Sequence, residues 1–147
     1  MTTTEAALLK LVALEADDLP VISAHLQDAV ACVQEIAYLP AERRLAMVVN
    51  RFDWLSGNEK PTRLRTGVRF ERVNKARLRN LDLKKTGEML NLLAVEFAPS
   101  DAPSGTITLY FSGDAAIQLD VECVEAAMTD LGPAWNARGC PQHETGA

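Results

Sequence analysis

The sequence predicts an α+β fold, in which a strongly bent antiparallel sheet of about seven strands is closed by a C-terminal helix. Short apolar or alternating segments recur about every ten residues from Ala29 onward, as is typical of consecutive strands. The links between these segments are short, and short links favour antiparallel neighbours because a parallel crossover needs about a dozen residues or more. After Leu119 the apolar residues change to helical spacing.

The N-terminal part of the chain predicts one edge strand and one short helix. Leu9 to Leu14 is a short apolar stretch and is predicted as the edge strand. Asp18 is predicted to cap the helix and Pro20 to lie in its first turn. Apolar residues at helical spacing then indicate an amphipathic helix that ends near Asp28 and packs on the sheet. These residues are Leu19, Ile22 and Leu26.

Seven strands and a second helix follow. The predicted strands are Val30 to Leu39, Leu45 to Trp54, Leu64 to Arg72, Lys75 to Leu81, Met89 to Phe97, Thr106 to Phe111 and Ala115 to Leu119. The predicted helix runs from Asp120, its N-cap, to Leu131, and Gly132-Pro133 ends it. Its apolar stripe consists of Val121, Val124, Met128 and Leu131.

Composition indicates one ordinary globular domain that spans all 147 residues, with a loose tail from Arg138 to Ala147. No apolar run approaches the roughly 20 residues that cross a bilayer, and the N-terminus lacks a signal-peptide pattern, so we expect a cytoplasmic protein without membrane insertion. The three cysteines are widely spaced, and no metal, nucleotide or nucleophile motif is present. We therefore expect no disulfide, no metal, no cofactor and no catalytic residue.

The charge of the chain is strongly polarised. Between Lys60 and Lys85 there are ten Lys and Arg residues against two acids, a charge of +8. The other residues hold five basic against eighteen acidic side chains, a charge of −13. An anion is expected to meet the basic segment, and charge alone leaves four sources open: the acidic remainder of the chain, a partner subunit, a nucleic acid or a phosphorylated ligand. The complementary charges also predict self-association, with a homodimer as one form.

The basic residues concentrate on two neighbouring predicted strands. A tight reversal near Val73-Asn74 would join these strands into a hairpin, and alternation places their cations on one face. Like charges that face each other across strands are destabilising. Three arrangements relieve the repulsion: dilution by solvent, pairing with acids of the chain, or an external anion. The acids considered for pairing are Glu35, Asp53 and Glu96, and the predicted anion contacts are Arg65, Arg69, Arg77 and Arg79.

A second candidate site is the motif Asn50-Arg51-Phe52-Asp53-Trp54, at the end of a predicted strand. Arg51 and Asp53 are candidate partner contacts at the rim of the sheet. The alternative is an ion pair between Asp53 and a neighbouring Arg, with Phe52 and Trp54 buried on the opposite face.

The predicted order of elements resembles that of pleckstrin-homology-like domains. In those domains seven antiparallel strands form a bent, barrel-like sheet pair, and a C-terminal helix plugs one end. The resemblance covers roughly Val30 to Leu131, and the N-terminal strand and helix are additions to it.

Three stretches of the chain carry a more specific resemblance. They are residues 18–29 (DLPVISAHLQDA), residues 50–54 (NRFDW), and residues 119–123 (LDVEC) with residues 131–135 (LGPAW). In these the chain is similar, over nearly its full length, to an uncharacterised bacterial family, domain of unknown function 2948. The family implies a cytoplasmic bacterial protein and provides no activity or catalytic residue to transfer.

These observations favour a non-enzymatic binding or interaction module. Its basic hairpin would contact an acidic protein partner or a phosphorylated ligand, because guanidinium groups bind carboxylates and phosphates bidentately. The alternative is a small enzyme, or an accessory subunit of one, that acts on a phosphorylated metabolite with His25 or Asp53 handling protons. Nucleic acid is not an expected partner, because the pI is near 5.0 and only Phe70 interrupts the basic residues between Arg63 and Lys85 with an aromatic ring.

Overall fold

The computed structural model describes residues 8–53, 63–85 and 87–133. In these residues nine strands form a single antiparallel sheet, and one α-helix packs on it. The elements are β1 (Lys10–Ala13), α1 (Leu19–Leu26), β2 (Ala29–Leu39), β3 (Arg44–Phe52), β4 (Arg63–Phe70), β5 (Val73–Arg79), β6 (Met89–Pro99), β7 (Gly105–Phe111), β8 (Ala115–Val121) and β9 (Ala126–Pro133). The strand order is β1-β9-β4-β3-β2-β6-β7-β8-β5. The edges of the sheet are therefore β1 and β5.

Strand β2 joins the two halves of this sheet. It pairs with β3 on one side and, through its first residues, with β6 on the other. Between Ala31 and Ile36 the register with β3 shifts, and a bulge of this kind bends a strand. One half of the sheet contains β1, β9, β4 and β3, and the other contains β6, β7, β8 and β5. Both halves contribute to one hydrophobic core.

The core follows from the alternation of side chains along the strands. On β3, Leu45, Met47 and Val49 are buried, and on β8 the residues Ile117 and Leu119 are buried. Helix α1 adds its apolar stripe to the same core, and it packs mainly against β6. The stripe is the predicted one, consisting of Leu19, Ile22 and Leu26.

The predicted elements before Asp120 are confirmed. All seven strands from β2 to β8 occur, with ends within two residues of the prediction wherever the end is described. The N-terminal strand lies at the edge of the sheet, as predicted, and α1 occupies the predicted segment. Asp18 precedes α1, but its carboxylate accepts hydrogen bonds from the N–H groups of Leu14 (3.1 Å) and Glu15 (3.2 Å) and caps no N–H of α1.

The predicted fold class is wrong. The described residues form a mostly β structure with a nine-stranded open sheet and one short helix, and not a seven-stranded, pleckstrin-homology-like barrel capped by a C-terminal helix. The segment predicted as that helix contains the end of β8, a turn and the strand β9. β9 lies between β1 and β4, so both of its sides pair with a neighbouring strand. These two ladders outweigh a helical pattern that local spacing alone suggested.

The predicted basic hairpin is also wrong. β4 pairs with β3 and β9, whereas β5 crosses to the other half of the sheet and pairs with β8. The chain turns at Arg72, which has a φ of 60°. Backbone hydrogen bonds from Glu71 N–H to Glu125 O (2.8 Å) and from Glu122 N–H to Arg72 O (3.0 Å) hold this turn against the turn between β8 and β9. The cations of β4 and β5 therefore lie on different halves of the sheet.

Two further expectations concern cysteine and membranes. Cys32, which is buried on β2, is disulfide-bonded, so the expectation of no disulfide is wrong. Cys123 is a free, half-buried thiol. Among the described residues, no helix combines the length and apolar character needed to cross a bilayer. The predicted loose tail and Trp54 lie outside the described residues.

Candidate functional site

Each of the four predicted anion-contact arginines forms an ion pair with an acid of this chain. Internal pairing was one of the three arrangements that the sequence left open, and Glu35 was one of the acids considered for it. The pairs are Arg65–Glu35 (3.2 Å), Arg69–Glu71 (3.1 Å), Arg77–Asp120 (2.7 Å) and Arg79–Asp114 (3.2 Å).

In the two ion pairs on β4, each arginine contacts an acid that is poorly exposed. The Glu35 side chain is only 6% exposed, and separating it from Arg65 would leave a buried charge without its counterion. Glu71 is shared, because Arg44 Nε donates to both of its carboxylate oxygens at 3.0 and 2.9 Å while Arg69 approaches one of them. Arg65 and Arg69 therefore have a structural role on this half of the sheet.

The cations of β5 are arranged differently, and we call Lys75, Arg77 and Arg79 the β5 cationic strip. They occupy alternate positions of an edge strand, so their side chains share one face. Arg77 donates two hydrogen bonds, of 2.7 and 2.8 Å, to the Asp120 carboxylate, and these bonds hold the pKa of Asp120 below its usual range. Arg79 and its partner Asp114 are 60% and 78% exposed. Exposed pairs of the latter kind contribute only about 0–1 kcal/mol, so an external carboxylate can replace Asp114 at little cost.

Arg51 lies inside the protein, where it forms the buried ion-pair cluster with Thr66 and Asp130. Arg51 Nε and Nη2 donate to the two Asp130 oxygens at 2.8 and 2.7 Å, and Thr66 Oγ1 donates to the same carboxylate at 2.7 Å. The Leu9 N–H donates a fourth hydrogen bond, of 2.8 Å. The Arg51 and Asp130 side chains are 1% and 0% exposed, so Arg51 offers no surface to a partner.

Burial and hydrogen bonding act in opposite directions on the Asp130 carboxyl. Burial raises its pKa, but the hydrogen bonds from Arg51, Leu9 and Thr66 and the Arg51 charge more than offset this, so the pKa lies below its usual value. His25 on α1 is close enough to feel these charges. Burial and the Arg51 charge lower the pKa of His25, and the charges of Asp130 and Asp53 oppose them only in part. The folded protein therefore favours a neutral His25 and an ionised Asp130.

These shifts predict that acid destabilises the fold in two steps. The unfolded chain takes up a proton on His25 as the pH falls through about 6.5, before the folded protein does, so stability decreases below that pH. Asp130 adds a second loss below about 3.8, its ordinary pKa. Urea unfolding at pH 7.5 and 5.5 should show a lower midpoint at pH 5.5, and His25→Gln should reduce this difference. An equal difference in the variant would contradict the assignment to His25.

Two other residues of the motif, Asn50 and Phe52, contact Arg63. The Arg63 guanidinium lies 3.8 Å from the centroid of the Phe52 ring and donates a 3.1 Å hydrogen bond to the Asn50 carbonyl oxygen. Burial lowers the pKa of Arg63. Asp53 is half-buried and lies within electrostatic reach of His25. The motif thus contributes Arg51 to a buried ion pair with Asp130, which the sequence did not predict.

The described residues line two main surface clefts. The larger, of about 1230 Å³, lies between α1 and β6 and is called the α1–β6 cleft. The smaller, of about 320 Å³, is lined by residues of β2, β3, β4 and β9. Neither cleft is lined by a residue of β5 or by His25. Among the described residues, no group of three or more His, Cys, Asp or Glu side chains is placed to bind a metal ion.

Sequence reasoning missed Thr66 and Asp130 as partners of Arg51. Asp130 gave no signal, because it fell within the segment predicted as a helix. The inward direction of Arg51 did have a signal. The alternation that places Met47 and Val49 in the core also directs Arg51 to that side. A buried charge needs a partner, so an acid on a nearby strand was to be expected opposite Arg51.

The chain matches the family described as "Protein of unknown function (DUF2948)" over residues 9–143, which confirms the resemblance seen in the sequence. No curated protein and no solved structure matches the chain significantly. The matched range includes both the buried ion-pair cluster and the β5 cationic strip.

Proposed function

We propose that this chain, which belongs to the DUF2948 family, is a non-enzymatic interaction module. It binds an acidic segment of a partner protein along β5. The observation that carries the proposal is the β5 cationic strip. Its three cations alternate along an edge strand, and Asp114, the highly exposed acid that pairs with Arg79, is exchangeable. The other predicted contacts hold less exposed partners, which supports β5 as the binding surface.

The spacing of the strip suits an extended acidic segment. Alternate residues of a strand lie about 7 Å apart, so carboxylates at alternate positions of a partner would match the three cations. Arg77 and Arg79 offer guanidinium forks, which bind carboxylates bidentately. In addition, an edge strand offers unpaired backbone groups, and edge cations discourage pairing with a neutral strand. A neutral partner is thus disfavoured and an acidic one is favoured.

A protein partner fits this surface better than a phosphorylated small molecule does. Small-molecule sites are concave and bury most of the ligand, whereas neither of the two clefts described above reaches β5. Catalysis by the buried cluster finds no support either. The Asp130 carboxylate already accepts four hydrogen bonds, so it has no free oxygen with which to accept a proton from a substrate.

The test is the affinity for a labelled peptide in which Glu and Val alternate, measured by fluorescence anisotropy. The double variant Arg77→Glu/Arg79→Glu should bind at least about tenfold more weakly than the wild type, since two charge-assisted contacts become repulsive. The matched control is Lys10→Glu/Lys84→Glu, which has the same net charge and changes two exposed cations outside β5. This control should keep most of the affinity. Equal losses in the two variants, or no binding by the wild type, would overturn the proposal.

A further inference from the structure

We infer that the α1–β6 cleft is a second docking site, which takes an extended, positively charged segment of a partner protein. This inference does not depend on the proposed role of β5. The cleft lies between the helix and β6, and residues of the loop before β7 also line it. Three properties support the assignment: an unpaired strand edge, the size and apolar lining of the cleft, and its charge.

The edge of β6 inside the cleft has no neighbouring strand among the described residues. β2 pairs with β6 only from Met89 to Leu92, and from Ala94 to Pro99 the strand pairs with β7 alone. The Val95 N–H donates to Ser23 Oγ on α1 at 2.9 Å, so it points away from β7. Backbone groups of a strand alternate in direction, and the N–H and C=O of Phe97 therefore point away from β7 as well. An incoming extended segment can pair with the backbone at Phe97.

The size and lining of the cleft favour a peptide segment over a small molecule. Its volume of about 1230 Å³ exceeds the roughly 300–1,000 Å³ of typical small-molecule sites. Two large apolar side chains on its walls are unusually exposed, Leu14 at 63% and Leu93 at 46%. Ala24 on α1 and the half-buried Phe97 ring add further apolar surface. The burial of these groups would drive the binding of apolar side chains of the segment.

The charge of the cleft favours a positively charged segment. Three acids line it and no Lys or Arg does. Each of the three, Glu15, Asp17 and Glu96, is exposed at the rim. The Phe97 ring can also attract a cation to its face. A segment in which Lys or Arg alternates with small apolar residues fits all three properties. Its backbone can pair with β6, its apolar side chains contact the walls, and its cations pair with the acids at the rim.

The probe is a labelled seven-residue peptide in which Lys and Val alternate, and binding is measured by fluorescence anisotropy. Ala24→Trp places a large ring in the cleft from an exposed helix position and should weaken binding at least tenfold. Ala24→Ser leaves the cleft open and should bind like the wild type. Circular dichroism confirms that both variants are folded. Equal affinities of Ala24→Trp and the wild type would overturn the inference.

A second pair of variants tests the charge. Asp17→Lys/Glu96→Lys reverses two rim acids and should also weaken binding at least tenfold. Glu42→Lys/Asp82→Lys has the same net charge and changes two exposed acids that do not line the cleft, so its affinity should fall much less. An equal loss in both variants would contradict the site, because it would reflect net charge alone. The Glu–Val peptide should bind Ala24→Trp normally, which separates a failure here from a failure of the β5 proposal.

Discussion

Replacement of either member of the buried Arg51–Asp130 pair alone is expected to lower the free energy of unfolding by about 3–5 kcal/mol. Both side chains are almost completely buried, and four hydrogen bonds converge on the Asp130 carboxylate. Arg51→Met leaves that carboxylate buried without its counterion, and Asp130→Leu leaves the guanidinium in the same state. Urea unfolding of each variant measures the loss, which is large against a total stability of about 5–15 kcal/mol.

The double variant Arg51→Met/Asp130→Leu is the control for this prediction. It removes both charges and replaces them with apolar side chains, so its loss should be smaller than that of either single variant. Losses that simply add would contradict the pairing. Thr66→Val gives a milder test that should fold in any case, because it removes one hydrogen bond to Asp130 and is expected to cost about 1–3 kcal/mol.

Gly105→Ala is expected to destabilise the fold by about 1–3 kcal/mol, as overpacked core positions do. Gly105 is buried at the start of β7, opposite Pro99 of β6. A Cβ atom there would clash with Phe97 Cζ and would lie 2.5 Å from the Ala98 carbonyl oxygen. The second contact is with backbone, so a rotation of the Phe97 side chain cannot relieve it. Thermal and urea unfolding would measure the loss.

Gly67→Ala is the matched control on another strand. Its Cβ atom would meet only ordinary contacts, 3.8 Å from Leu131 Cδ1 and 3.9 Å from the Thr129 carbonyl oxygen. This variant should be neutral or more stable by about 0.4–1 kcal/mol, because alanine reduces the entropy of the unfolded chain. Similar losses in both variants would show that strand glycines matter for a general reason, and not because Phe97 and Ala98 crowd Gly105.

The sequence predicted local elements well because their patterns were local. Apolar alternation identified each strand from β2 to β8, and helical spacing identified α1. The same spacing was misleading from Val121 to Leu131. Ala126, Ala127 and Met128 are compatible with a helix, and only the neighbours β1 and β4 make this segment a strand. Nothing local reports which strands will lie beside it.

At the candidate site, too, the pairing of strands could not be predicted from the local sequence. The turn at Arg72 suits a hairpin as well as a crossing to the other half of the sheet, so the cations of β4 and β5 seemed to form one surface. The pairing of β5 with β8 separates them and brings Asp120 to Arg77. Which arginines lie beside exposed acids depends on these long-range contacts. The identity of the cationic residues was therefore predictable, but their availability to a partner was not.

The most direct test of β5 as the docking surface is a titration of the ¹⁵N-labelled protein with the Glu–Val peptide, followed through its backbone amide signals. The account predicts saturable chemical-shift changes concentrated in Val73–Arg79 and in the paired strand β8, with small changes around Arg65 and Arg69 on β4. Shifts that spread evenly over all basic residues, or that leave Val73–Arg79 unchanged, would contradict it.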